Sequence, residues 1–142
     1  MANQPQKIQI VWDSGDECTA QTPAGRHLHV GPSGEWSPEQ LLLAAAESSL
    51  MAAFVEIAGK RGLEVLGYVS SAGLTRRGDR GRVRLVVRPC IAIAAETDRD
   101  RVHALLREAR ERSHVARALG RSLHVAPEVV MIPQPAPSGE LR

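Results

Sequence analysis

The longest apolar stretch of the chain runs from Ser37 to Gly62 and predicts one long helix. Ser37, Pro38 and Gln40 suit the N-cap, first-turn and capping-box positions of a helix start, and Gly62 suits its end. Apolar side chains surround nearly the whole helix, which is typical of a helix buried on all sides. A polar notch of three residues beginning at Glu47 interrupts the run. The pattern therefore favours a buried core helix over a membrane span.

Alternating apolar and polar residues predict strands on both sides of this helix. The expected strands cover residues 7–12, 17–21, 26–30, 63–75, 83–93 and 123–132, the last bent at Pro127. A hairpin tip is expected at residues 76–81. In the strand that follows this tip, Arg82, Arg84 and Arg88 alternate with apolar residues, which indicates one wet or paired face and one buried face.

A second helix is expected from Arg99 to Leu119, ended by Gly120. Its apolar residues recur at three-to-four spacing, and Ser113 falls on that same face. The element order is then β-β-β-α-β-β-α-β, an α+β domain with mainly antiparallel strands over residues 1–132. The proline-rich residues 133–142 are expected to form a disordered tail. Because one small sheet cannot cover a helix that is apolar all round, a second subunit is expected to complete the core.

Composition narrows the class of protein. A formal net charge of +2 and 3% aromatic residues give no reason to expect nucleic acid as a partner. The polar N-terminus lacks the apolar segment of a signal peptide, so a cytoplasmic protein without a membrane partner is expected. Cys18 and Cys90 lie far apart and suggest neither a disulfide framework nor a zinc site. His27 and His29 share a strand face, but two ligands are too few to predict a metal, and no cofactor is expected.

Three segments together resemble the OsmC/Ohr superfamily of osmotically inducible and organic-hydroperoxide-resistance proteins. They are Pro38–Ala46, Gly59–Leu63 and Ser113–Leu119, and the similarity follows the element order over roughly residues 7–130. The resemblance implies an intertwined homodimer with the long helices at its centre. It also implies a chemistry in which one cysteine thiolate attacks a hydroperoxide and a second cysteine resolves the sulfenic acid as a disulfide.

The chain departs from that pattern at both cysteine positions. By the resemblance, Ser49 stands at the peroxidatic position and Ser113 at the resolving one, with His114 in place of the proline that follows. Glu39 matches the acidic partner of an activating arginine, and that arginine has no clear counterpart near residues 13–16. A serine hydroxyl is barely ionised near neutral pH and forms neither a sulfenic acid nor a disulfide, so the usual peroxidase activity is expected to be lost.

The leading hypothesis is an OsmC-like homodimer that binds a small, partly apolar ligand in a cavity at the dimer interface. Its polar binding residues are predicted to be Glu39, Glu47, Ser49, Ser113 and His114. One alternative is an enzyme, either a hydroperoxide reductase that uses one of the two cysteines or a Ser/His-dependent hydrolase. Another is a purely structural dimer with a collapsed cavity.

The carboxylate of Glu47 has two interpretations at this stage. A charge inside so apolar a helix must be paired, protonated or open to a cavity. Pairing with an arginine of the strand that contains Arg84, or of the second helix, is one interpretation. The other is that Glu47 lines a ligand pocket.

Overall fold

The computed structural model describes residues 6–76 and 81–135. In chain order the elements are β1 (Gln9–Ser14), β2 (Glu17–Gln21), β3 (His27–Val30), α1 (Pro38–Lys60), β4 (Val65–Arg76), β5 (Val83–Ile93), α2 (Arg99–Arg112), α3 (His114–Leu119), β6 (Leu123–Val125) and β7 (Glu128–Met131). The expected α+β class is confirmed. The chain forms two compact units, the first up to Leu42 and the second from Leu43 onward. A single domain over residues 1–132 stays a prediction.

The first unit contains an antiparallel sheet in the order β1-β2-β3 and the first turn of α1. Ala20 and Val30 are its buried apolar residues among those described. The expected capping box is present at the start of the helix. The Ser37 backbone N–H donates to Gln40 Oε1 at 2.9 Å, and the Gln40 N–H donates to Ser37 Oγ at 3.0 Å.

The end of α1 also follows its sequence signal. Gly62 adopts a φ of +69°, a left-handed conformation that glycine tolerates best, and the Leu63 N–H donates to the Ala58 carbonyl at 2.9 Å. Along the helix a single stripe is buried within the second unit: Ala46, Leu50, Phe54, Ile57 and Ala58. By length and composition α1 also qualifies as a membrane span, a test that core helices pass as well.

The other faces of α1 are not covered within one chain. Met51 is 39% exposed and Val55 is 48% exposed. One sheet and one helix layer reach only one stripe of α1, so its burial on all sides, expected with the help of a second subunit, stays a prediction.

The sheet of the second unit has the order β4-β5-β6, and β7 also pairs with β5. Strand β4 runs antiparallel to β5, whereas β6 and β7 run parallel to it. The single bent strand expected at residues 123–132 is thus two strands. Pro127 lies between them and has no N–H to contribute to the ladder.

One core joins α1, α2 and β5 in the second unit. Leu50 and Phe54 of α1 belong to the same buried cluster as Leu85 and Ile91 of β5 and Leu105 of α2. The expected hairpin tip at residues 77–80 and residues 136–142 of the expected tail lie outside the described residues.

The second helix is not continuous, in contrast to the prediction. At Ser113 the backbone is extended, with φ −72° and ψ 121°, so α2 ends there and α3 starts. Ser113 Oγ accepts a hydrogen bond from the Ala116 N–H at 3.1 Å and caps α3. The serine side chain offers the backbone a partner that continued helix does not, which accounts for the break.

Candidate functional site

Two hydroxyl groups meet where α1 passes the break between α2 and α3. Ser49 Oγ lies 2.5 Å from Ser113 Oγ, and either hydroxyl can be the donor. Ser113 is only 3% exposed, and Ser49 is half-buried. The structure therefore brings together the two positions at which the sequence comparison with thiol enzymes places serine.

The hydrogen bonds of this pair leave it without a base. Ser113 Oγ already accepts from the Ala116 N–H, and no imidazole or carboxylate forms a hydrogen bond with either hydroxyl within the described part of the chain. Bonding back to a carbonyl of the same helix, which is common for a helical serine, is seen at Ser48, whose hydroxyl donates to the Ala45 carbonyl at 3.4 Å. Ser49 instead bonds across to the next element. A nucleophilic serine needs an adjacent base, so this geometry gives no support to a Ser/His hydrolase.

Three buried oxygen atoms of the second unit have no hydrogen-bond partner among the described residues. They are Glu47 Oε1, the Tyr68 hydroxyl and Ser70 Oγ. Glu47 lies two positions before Ser49 on α1, and Tyr68 and Ser70 belong to β4. Because residues two apart share a strand face, and Ala72 and Leu74 of that face pack on the core, Tyr68 and Ser70 project inward as well. Unpartnered buried oxygens are rare in native proteins and call for an explanation.

The electrostatics link two of these three groups. Burial raises the pKa of Tyr68 to about 12, and the negative charge of Glu47 contributes to the same rise. At neutral pH the phenol therefore keeps its proton and is available as a donor. The centroid of its ring lies 5.9 Å from that of the Phe54 ring, and the two ring planes are tilted by 45°. Two aromatic rings therefore pack together next to the Tyr68 hydroxyl.

Comparison with known proteins adds the family. The model of the family described as OsmC-like protein matches residues 31–128, more than half of the chain. The chain belongs to the OsmC-like family. The resemblance noted in the sequence is thereby confirmed, while none of the curated proteins compared with the chain matches it.

Solved structures share the OsmC-like fold at low sequence identity. An OsmC-like protein of unknown function from Vibrio cholerae is 17% identical with a TM-score of 0.72, covering 89% of this chain and 99% of its own. An organic hydroperoxide resistance protein OsmC from Legionella pneumophila is 20% identical with a TM-score of 0.67, covering 92% and 99%. The organic hydroperoxide resistance protein OhrB of Bacillus subtilis is 17% identical with a TM-score of 0.67, covering 90% and 99%. At these identities the likeness shows the fold alone.

The expected ion pair of Glu47 is not formed between described residues of this OsmC-like chain. Arg84 and Arg88 alternate with Leu85 and Val87 of β5, which are buried, so the two arginines are exposed on the opposite face of the sheet. The arginines of α2 that form ion pairs do so with other carboxylates, as Arg101 does with Asp98. Pairing was the wrong interpretation within one chain, because strand alternation directs the β5 arginines away from the core.

Two further predicted site residues lie in exposed positions. His114 is exposed at the start of α3, although its neighbour Ser113 is buried. Glu39 is exposed in the first turn of α1 and belongs to the first unit. Neither side chain is among those that the structure buries beside the hydroxyl pair.

The two cysteines lie in separate units. Cys18 on β2 and Cys90 on β5 are both free and half-buried. Since the chain has two cysteines in total, each unit contains a single thiol with no second thiol of its own. A disulfide-forming catalytic pair within either unit is therefore absent.

A second polar cluster occurs in the first unit around Glu17. One carboxylate oxygen, Oε1, accepts hydrogen bonds from the Ser33 backbone N–H at 2.7 Å and from the Ser33 hydroxyl. His29 Nε2 lies 3.0 Å from the other oxygen, Oε2, close enough for an ion pair but without hydrogen-bond alignment. The bonds from Ser33 lower the pKa of Glu17 below its ordinary value, and His29 adds to this effect. His27 is not part of the cluster, and no group of three metal-ligating side chains occurs among the residues described.

Sequence reasoning missed Tyr68 and Ser70. Their signal is the alternation along β4, where Tyr68, Ser70, Ala72 and Leu74 fall on one face. Two hydroxyl-bearing residues in line with apolar ones indicate a face that is buried and partly polar.

Proposed function

We propose that this OsmC-like protein binds a small, partly apolar ligand in its second unit, at Glu47, Tyr68 and Ser70. The observation that carries the proposal is the set of three buried oxygens without partners, Glu47 Oε1, the Tyr68 hydroxyl and Ser70 Oγ. A carboxylate oxygen accepts hydrogen bonds, so the ligand is one that donates an N–H or O–H to Glu47. The ring of Tyr68, which is only partly buried, supplies apolar surface for the rest of the ligand.

The proposal includes a cytoplasmic homodimer. The exposed apolar side chains of Met51 and Val55 on α1 support it, because a second copy of the helix would remove them from water. Sedimentation at low micromolar concentration is expected to give twice the chain mass. A stable folded monomer under those conditions would contradict the assembly.

Three six-carbon probes test the ligand chemistry by calorimetry. Hexylamine and hexan-1-ol offer a donor to Glu47, whereas hexanoate offers a negative charge, so we expect the first two to bind and hexanoate to fail. Glu47→Gln is expected to weaken hexylamine by about tenfold or more, since a charge-assisted hydrogen bond is lost. Glu56→Gln is the matched control, because Glu56 is exposed on the same helix and pairs with Lys60.

The outcomes of this experiment are decisive for the proposed site. Equal binding of all three probes, or an equal loss in both glutamine variants, would show that Glu47 does not recognise the ligand. Absence of binding by every probe to the dimer would contradict the proposal as a whole.

We further propose that the thiol peroxidase activity associated with the family is absent. The support is the Ser49–Ser113 pair, which has no thiolate, and the single thiol in each unit. Purified protein is expected to show no thiol-dependent turnover of cumene hydroperoxide. Any stoichiometric reaction is expected to disappear in the Cys18→Ser, Cys90→Ser double variant. Multiple turnovers by the unmodified protein would contradict this statement and favour the peroxidase alternative.

A further inference from the structure

A basic groove lies on the outward face of the sheet in the second unit, between β5 and β6. Its volume is about 920 Å³. The basic residues that line this groove are Arg82, Arg84, Arg88, Arg121 and His124. We call it the basic groove. None of the described carboxylates lines it. The groove is separate from the proposed ligand site, because Tyr68 and Ser70 face the other side of the same sheet.

The register of the strands explains why these side chains converge. Val86 pairs with His124 of the parallel strand β6, and Arg84 and Arg88 stand two positions to either side of Val86 on the same face. The Cα atoms of the two arginines are therefore about 13 Å apart. Side chains as long as arginine can bring both guanidinium groups to one anion above Val86. On the other side β4 contributes Gly73 opposite Val86, and this glycine leaves the space above it open.

The arginines of the groove are uncompensated among the described residues. Arg84, Arg88 and Arg121 are exposed and form no ion pair there, unlike Arg99, Arg101 and Arg112 of α2. Glu128 pairs in register with Cys90, beyond Arg88 on the same face, and does not line the groove. Guanidinium groups held close together repel one another, so an anion bound between them relieves that repulsion.

We propose that the basic groove binds a small molecule that carries at least one phosphate group. Arginine matches phosphate because its planar fork donates two parallel hydrogen bonds, and Arg84 and Arg88 supply two such forks. Val86, on the same face as the two arginines, provides an apolar floor for the organic part of the ligand. The volume lies in the range of small-molecule sites, roughly 300–1,000 Å³. A single-stranded nucleic acid is disfavoured because no aromatic side chain lines the groove for base stacking.

Binding of pyrophosphate to the purified protein, followed by calorimetry at low ionic strength, tests the proposal. The unmodified protein is expected to bind saturably at one site per chain. The Arg84→Gln, Arg88→Gln double variant is expected to bind about tenfold more weakly or worse. Arg88→Lys keeps the charge but removes the fork, so an intermediate affinity is expected. Arg107→Gln is the matched control, because Arg107 is exposed on α2 and outside the groove.

Each outcome decides the matter. Melting temperatures of all variants are compared first, and Arg88→Lys retains the test if the double variant is unfolded. Absence of saturable binding at millimolar pyrophosphate would overturn the proposal, as would an equal loss of affinity in Arg107→Gln. Binding of a short duplex DNA more tightly than pyrophosphate would overturn it in favour of a nucleic-acid surface. Because hexylamine binding does not involve this face, it stays unchanged in the groove variants and reports separately on the ligand site.

Discussion

Replacing Ser113 by alanine tests the hydroxyl pair through stability. The change removes two hydrogen bonds at once, the cap on the Ala116 N–H and the 2.5 Å contact with Ser49. Loss of a helix N-cap costs about 0.5–2 kcal/mol. Loss of the bond to a half-buried hydroxyl costs about 0.5–1.5 kcal/mol more. Ser113→Ala is therefore expected to destabilise the protein by about 1–3.5 kcal/mol, and Ser49→Ala by only about 0.5–1.5 kcal/mol, because the cap remains.

Urea unfolding at one fixed protein concentration measures these values, since the unfolding of the proposed dimer would depend on concentration. The double alanine variant is the decisive sample. If the two hydroxyls bond to each other, it is less destabilised than the sum of the single variants by about 0.5–1.5 kcal/mol. Strict additivity would refute the contact. Ser48→Ala serves as the control, because Ser48 is exposed and bonds only to its own helix, so a change within about 0.5 kcal/mol is expected.

Three further predictions follow from the second unit. Leu50 is fully buried in the core, so Leu50→Ala is expected to cost about 2–5 kcal/mol in urea unfolding, and a cost below that range would contradict the packing. The pKa of Tyr68 is raised to about 12, so the unfolded chain loses this proton at a lower pH than the folded protein does. The contribution of Tyr68 to the free energy of unfolding is therefore complete below a pH of about 10 and falls as the pH rises towards 12. Tyr68→Phe is expected to reduce that loss. The Ser49→Cys, Ser113→Cys variant is expected to form a disulfide within one subunit on oxidation, seen as a loss of two titratable thiols without a covalent dimer; an intersubunit bond would contradict the intrachain contact.

The start and end of α1 were predictable because their signals are local. Ser37 and Gln40 bond to each other across three residues, and Gly62 adopts the left-handed conformation that ends the helix. Neither feature depends on distant parts of the chain. The helix therefore begins and ends where the sequence indicates, at Pro38 and Lys60.

The break at Ser113 was not predictable from periodicity. Apolar residues keep their three-to-four spacing from Ala109 to Ala116, so the pattern passes through the break without a signal. What ends α2 is the use of the Ser113 side chain as the cap of α3 and as the partner of Ser49, 64 residues away. A contact between distant residues leaves no trace in local spacing.

The prediction that Glu47 pairs with an arginine of β5 did not make full use of the alternation along that strand. Alternation in β5 assigns Arg84 and Arg88 to the face opposite Leu85, and Leu85 belongs to the same core as α1. The same pattern that predicted a wet face thus excluded those arginines as partners for a carboxylate on the inner side. What it could not supply was the identity of the residues that face Glu47. That depends on the packing of β4 against the core.

The hydroxyl groups of the Ser49–Ser113 pair have a structural consequence as well as a chemical one. A hydroxyl is a stronger hydrogen-bond donor and acceptor than a thiol, so Ser113 can cap α3 and bind Ser49 through the same oxygen. The two hydrogen bonds hold the Ser113 oxygen in one position. A serine hydroxyl does not reduce a peroxide, because it has no counterpart of the sulfenic acid and disulfide that a thiol forms. A buried oxygen without a partner costs about 1–3 kcal/mol, so a ligand that forms hydrogen bonds with Glu47 and Tyr68 would also stabilise the folded protein.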